Sequence, residues 1–149
     1  MTEMKERILV ATQELFLKYG IRSVSMDDIA KHLSISKKTI YQYYKDKDEA
    51  VHELMKVKLK EDEREFAAIE KMSSNVVEEF INLMKHISNM ISKVNPNVFY
   101  DLQKYHPKTW DLFKKFKEDF ILKMVEDTLL RGIKQGLIRP DINVKILSR

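Results

Sequence analysis

The chain has 149 residues, 44% of them apolar and 34% charged, with a net charge of +4, three glycines, three prolines and no cysteine. That balance allows one domain, or a small domain fused to a larger one, with a real core. It excludes a disulfide framework and a thiolate zinc site, and the mixed-charge N-terminus without a long apolar run points to a cytoplasmic protein, not a secreted or membrane-spanning one.

Punctuation this sparse favours long helices over many short strands. Residues 3–19 place Met4, Ile8, Ala11, Leu15 and Tyr19 at helical spacing, and Gly20 suits the helix end. In "VSMDDIAKHL" Ser25 is an N-cap, Asp28 completes a capping box, and Val24 with Ile29 can form a hydrophobic staple, which predicts a short helix to about Leu33. "SIS" is a three-residue turn, after which Ser36 caps a helix expected from Lys37 to about Tyr44. Asp46 and Glu49 suggest a further capping box. The helix they open should run to about Lys71, burying Val51, Leu54, Met55 and Leu59 and turning "KEDEREF" to solvent. "MSSN" breaks the pattern. Helices are then expected over 76–94, 98–105 and 109–135, the last carrying Trp110, Phe113, Phe120, Met124 and Ile133 and ending at Gly136. Asp141 reads as the N-cap of one more. With no strand pattern, internal repeat or low-complexity tract, the predicted fold is all-α.

Two helix starts break a local rule. Lys37 and Lys38 occupy the first two positions of one helix and Lys47 the first of the next. The positive end of the helix macrodipole disfavours cations there by about 0.3–1 kcal/mol each. The same ends attract phosphate, where lysine and dipole act together. Residues 31–47 hold Lys31, Lys37, Lys38, Lys45 and Lys47 against one acid, Asp46. Charge alone fits a solvated lysine-rich surface equally well. Two short helices joined by a three-residue turn, with the small Ala30 where they cross, add what charge does not: helix-turn-helix geometry, whose second helix enters the DNA major groove.

The stretch "SMDDIAKHLSISKKTIYQYYKDKDEAV" resembles the DNA-binding domain of TetR/AcrR-type transcriptional regulators. The Ile-Ala pair, the apolar-Ser step, the aromatic "TIYQYY" and the "K-D-K" entry carry the likeness, over about residues 5–55. Ser34 and Lys38 stand where many members have glycine. The resemblance implies an N-terminal three-helix DNA-binding domain, residues 1–50, and a helical-bundle ligand-binding and dimerisation domain, residues 51–149. It implies a phosphate contact from Ser25 and base or phosphate contacts from Lys37, Lys38 and Thr39. Tyr41 and Tyr43 would meet the DNA backbone, Gln42 an adenine, and Lys47 a phosphate that fixes register. Tyr44 is expected in the core beside Ile40 and Ile29.

In such regulators the later helices enclose an inducer pocket, and ligand binding moves the fourth helix and spreads two DNA-binding heads. Met84, Phe99, Tyr100, Tyr105, Trp110 and Phe113 are the candidate lining of a largely apolar pocket, although aromatic stripes at helical spacing are more often plain core. His86 and His106 could bond a ligand. "DINVKILSR" reads as the first turns of a helix without room to continue. Either the regulatory domain is incomplete or this is a short member that dimerises otherwise.

The expected function is a ligand-responsive regulator: a repressor binding a palindromic operator as a homodimer and released by a small-molecule inducer, with no cofactor and no membrane partner. The rival is a helical adaptor module with a basic patch for an acidic partner. An enzyme is not expected, because Glu49-Ala-Val-His52 is the one Glu-x-x-His pair and no phosphate loop, zincin or nucleophile-elbow motif occurs. No catalytic or metal-ligating set follows.

Overall fold

A computed structural model describes residues 3–143, and every regular element among them is helical. In chain order these are α1 (Glu3–Tyr19), α2 (Met26–Leu33), α3 (Lys37–Tyr41), α4 (Lys47–Met72), α5 (Val76–Ser92), α6 (Asn97–Tyr105), α7 (Pro107–Phe116), a π-helical stretch (Lys117–Leu122) and α8 (Lys123–Lys134). Of the helix expected from Asp141, residues 141–143 are described and not helical, and 144–149 lie outside the described residues.

The described residues form two compact units, one of residues 3–58 with 92–111, the other of 59–91 with 112–143. The first packs α1, α2, α3, the start of α4 and α6 around Ile8, Phe16, Ile29, Ile40, Tyr44 and Leu102. Tyr44 is buried, as expected. The inner face of α1 departs from the expected stripe at Tyr19, which is 52% exposed. Ile8 and Ala11 are buried and Met4 and Leu15 pack half-buried against the core as expected, and Leu9, Thr12 and Phe16 also turn inward. Thr12 can take a core position because its hydroxyl donates to Ile8 O at 2.7 Å, satisfying the polar group locally.

The third helix is shorter than expected. After Tyr41 the chain tightens to three-residue bonds, Gln42 N–H to Thr39 O at 3.2 Å and Tyr43 N–H to Ile40 O at 3.0 Å. That tightening accompanies the turn of Tyr44 into the core.

In the second unit, Asp62 and Phe66 of "KEDEREF" are buried, one helical turn apart, so that stretch has an inner face as well as a solvated one. Phe66 meets Phe120 edge-on at 6.1 Å between ring centres, and Phe116 stacks on Phe120 at 5.1 Å. The expected helix over 109–135 starts earlier, at Pro107, a residue tolerated in a first turn. It is interrupted by the π-helical stretch that carries Phe120. Buried Glu79 on α5 accepts two hydrogen bonds from Arg131 on α8, at 3.0 and 2.8 Å, which ties those helices together.

Candidate nucleic-acid interface

Local capping chemistry shapes the helix-turn-helix. Ser25 Oγ accepts from Asp28 N–H at 3.1 Å, and Asp28 Oδ2 accepts from Ser25 N–H at 2.9 Å. The Ser25 backbone N–H first, and then its side chain, hold the Asp28 carboxyl below the ordinary value. Ser34 closes α2 in the left-handed region, φ 56°, and Ile35 N–H then donates to Ala30 O at 3.0 Å. Ser36 Oγ accepts from Thr39 N–H at 3.1 Å and shares a 2.8 Å bond with the Thr39 hydroxyl.

Lys37, Lys38, Tyr41 and Gln42 are all exposed, and Thr39 and Tyr43 are half-buried. The Thr39 hydroxyl is engaged with Ser36. Lys37 Nζ lies 3.8 Å from Asp27 Oδ1 and 6.0 Å from the Tyr41 ring centre. This exposed pair relieves part of the dipole conflict, by about 0–1 kcal/mol.

Lys47 sits differently. Its Nζ lies 3.5 Å from Arg22 O and 5.8 Å from the Phe16 ring centre. Burial lowers its pKa, and the carboxylates of Asp101 and Asp28 partly restore it. At the start of α4, Glu49 N–H donates to Asp46 Oδ1 at 2.9 Å, one half of the expected capping box.

Residues from α6 and its flanks hold this corner in place. Asp101 Oδ2 accepts from the backbone N–H groups of Ile21 at 3.0 Å and Arg22 at 2.9 Å. Asn95 donates from its backbone N–H to Leu17 O and from Nδ2 to Lys18 O, both at 3.1 Å, satisfying carbonyls that α1 leaves open at its end. His106 Nδ1 donates to Asp48 Oδ1 at 2.7 Å, and His52 pairs with Thr109 at 2.9 Å. Gly20, at φ 87°, is required at this corner, since a Cβ there would lie 3.3 Å from Asp101 Oδ2.

Comparison with known proteins decides what the motif belongs to. The profile of the bacterial regulatory proteins of the tetR family matches residues 8–54. A Bacillus subtilis (strain 168) protein described as the uncharacterised HTH-type transcriptional regulator YvaF is 33% identical over 149 residues, covering 95% of this chain and 75% of the relative. The chain belongs to the TetR family. It is accordingly a DNA-binding transcriptional regulator, like its relatives, and not an enzyme. A choline complex of a regulator from Saccharomonospora viridis shares the fold at TM-score 0.85, with 21% identity over 99% of this chain and 79% of that one. The transcriptional regulator FadR from Bacillus subtilis, solved with stearoyl-CoA, has TM-score 0.65 and 20% identity, over 96% of this chain and 78% of that one.

Within this TetR-family chain, Phe99, Tyr100, Tyr105 and Trp110 fall in the unit that contains the helix-turn-helix, and Met84 and Phe113 in the other. Met84, Phe99, Trp110 and Phe113 are half-buried. Tyr100 and Tyr105 face solvent. His86 meets Phe66 edge-on at 5.0 Å, with Nε2 3.1 Å from Glu65 Oε2. Sequence reasoning missed Asp101, Asn95 and His106 as the groups that hold the head together. Their partners lie far along the chain, and only the "NPN" and "HP" breaks beside Asn95 and His106 hinted at special positions.

No described helix is long and apolar enough to cross a membrane.

Proposed function

We propose that this TetR-family regulator acts in the cytoplasm as a repressor, binding a palindromic operator as a homodimer and leaving it when a small molecule binds. The observation that carries the DNA reading is the exposed cation pair Lys37 and Lys38 at the start of the recognition helix, beside exposed Tyr41 and Gln42. Residues 1–50 are the DNA-binding domain and 51–149 the regulatory one. Ser25, Tyr41, Tyr43 and Lys47 position the head on phosphates, while Lys37, Lys38, Thr39 and Gln42 reach base edges: lysine to guanine acceptors, a threonine methyl to thymine, glutamine to adenine. One short recognition helix reads few bases, and a two-fold dimer reads two half-sites.

Choline and stearoyl-CoA in two proteins of this fold support a small-molecule inducer. The candidate contacts are Met84 and Phe113 in the second unit, or Phe99 and Trp110 in the first. Genomic fragments selected for binding, followed by release on addition of compound pools, test the proposal. Selection of one two-fold symmetric sequence, released by a pool, is the expected result. Enrichment of no sequence, or of an asymmetric one bound by a single chain, contradicts it.

A further inference from the structure

The exposed face of α6 holds a prepared cation. Lys104 Nζ donates to the Tyr100 hydroxyl at 3.2 Å and lies 5.6 Å and 5.5 Å from the ring centres of Tyr100 and Tyr105. Tyr100 is 57% exposed and Tyr105 36%. The bond to Tyr100, and then the electrostatic pull of the Tyr100 and Tyr105 phenols, raise its pKa. A free surface lysine gives up roughly 2 kcal/mol of rotamer entropy when it is fixed by a ligand, and Lys104 has already lost part of that freedom.

The cation is not isolated. The Arg22 guanidinium lies 5.0 Å from the Tyr105 ring centre. The same Arg22 offers its carbonyl to Lys47, the expected phosphate contact at the start of α4. A strip therefore runs from Lys47 through Arg22, Tyr105 and Lys104 to Tyr100, all within one compact unit. Among the described residues neither Arg22 nor Lys104 is paired with a carboxylate. Asp101, the acid nearest in sequence, is buried with Oδ2 occupied by two backbone N–H groups.

We propose that the Arg22–Tyr105–Lys104–Tyr100 strip is a second DNA-backbone site, which takes phosphates of the duplex flanking each half-site, beyond the helix-turn-helix. It rests on the DNA-binding reading above. The Tyr100 hydroxyl accepts from Lys104, so its own proton remains to be donated, and hydroxyl and ammonium together can serve one phosphate group. The rings cannot stack on bases that stay paired in a duplex. Their role is to hold the cations in line. Continuity with Lys47, the expected phosphate contact, favours duplex DNA over an acidic protein partner.

The test uses operator DNA recovered from genomic fragments, as a short duplex trimmed to the two half-sites and a long one extended by a helical turn on each side. Hydroxyl-radical footprints and salt titrations compare the parent with Lys104→Gln and with Arg22→Gln/Lys104→Gln. On the long duplex the double variant should lose protection at the outer edges and keep it inside the half-sites. Its slope of log affinity against log salt should fall by about 0.9 for each phosphate no longer neutralised. On the short duplex all three proteins should bind alike. Unchanged outer protection and slope would overturn the site, as would an equal loss on both duplexes, which places the two cations inside the half-sites. If the parent bound neither duplex, the DNA-binding reading itself would fall, and this site with it.

Discussion

Asp101 Oδ2 on α6 accepts a hydrogen bond from the backbone N–H of Ile21, eighty positions earlier in the chain, at 3.0 Å. With the second bond, from Arg22 at 2.9 Å, one buried carboxylate fixes the corner between α1 and α2, from which Lys47 also takes a carbonyl partner. Removing it strands donors that cannot all reach water. Asp101→Ala should destabilise the unit by roughly 2–3 kcal/mol, since each buried donor left unmade costs about 1–3. Asp101→Asn keeps an oxygen acceptor and should cost about 1 kcal/mol or less, with the charge assistance gone. Urea unfolding followed by the sole tryptophan, Trp110, which packs against this core, reads both. Equal losses for the two variants would contradict the hydrogen-bond account.

Ser34 closes α2 with φ 56°, a conformation costing an ordinary side chain about 1–2 kcal/mol. Ser34→Gly removes that strain but loosens the unfolded chain by about 0.4–1 kcal/mol. The two effects nearly cancel, and the variant should be neutral to about 1 kcal/mol more stable. Ser34→Val, whose branched side chain suits this region badly, should be less stable than the parent by roughly 2 kcal/mol. Thermal melts of the three proteins decide it, and a valine variant as stable as the parent would refute the strain.

The Tyr44 hydroxyl is buried without a hydrogen-bond partner among the described residues. Burial pushes its pKa up to about 12, helped by Glu53 and Glu49. The folded value is raised, so this contribution to stability is complete below the unfolded value, near 10, and fades as pH rises toward 12. Tyr44→Phe should flatten that alkaline loss. At neutral pH it should leave stability unchanged or raise it by about 1 kcal/mol, because an unmet polar group is removed. A loss of stability on substitution would mean the hydroxyl is bonded after all.

Lys37 and Lys47 should separate reading from holding. Lys37→Ala should cost about 1–3 kcal/mol against the operator and little against unrelated DNA, the range for a base contact. Lys47→Ala should weaken every duplex alike and lower the salt slope by about 0.9. Competition titrations on operator and random DNA check both, and identical behaviour of the two variants would dissolve the distinction.

What the sequence revealed was mostly local. Ser25 with Asp28, Ser36 with Thr39 and Asp46 with Glu49 lie three residues apart, and such caps depend on nothing distant. The run of helices followed from spacing, and the burial of Tyr44 from the family resemblance. Part of the inner face of α1 did not, because Thr12 looks polar until its bond to Ile8 O is seen. The π-helical stretch from Lys117 to Leu122 has no proline or glycine to announce it. The groups that brace the head, Asp101 and His106, bond to partners 80 and 58 positions away, a separation no periodic pattern encodes.

The measurement that tests the central claim most directly is fluorescence anisotropy of the chain on DNA from upstream of its own gene, with non-specific competitor present. Binding that survives competitor, saturates at two chains per site and weakens steeply with salt is the result expected of an operator-binding dimer. Binding that competitor abolishes on every genomic fragment would contradict it and leave the basic strip to an acidic partner of another kind.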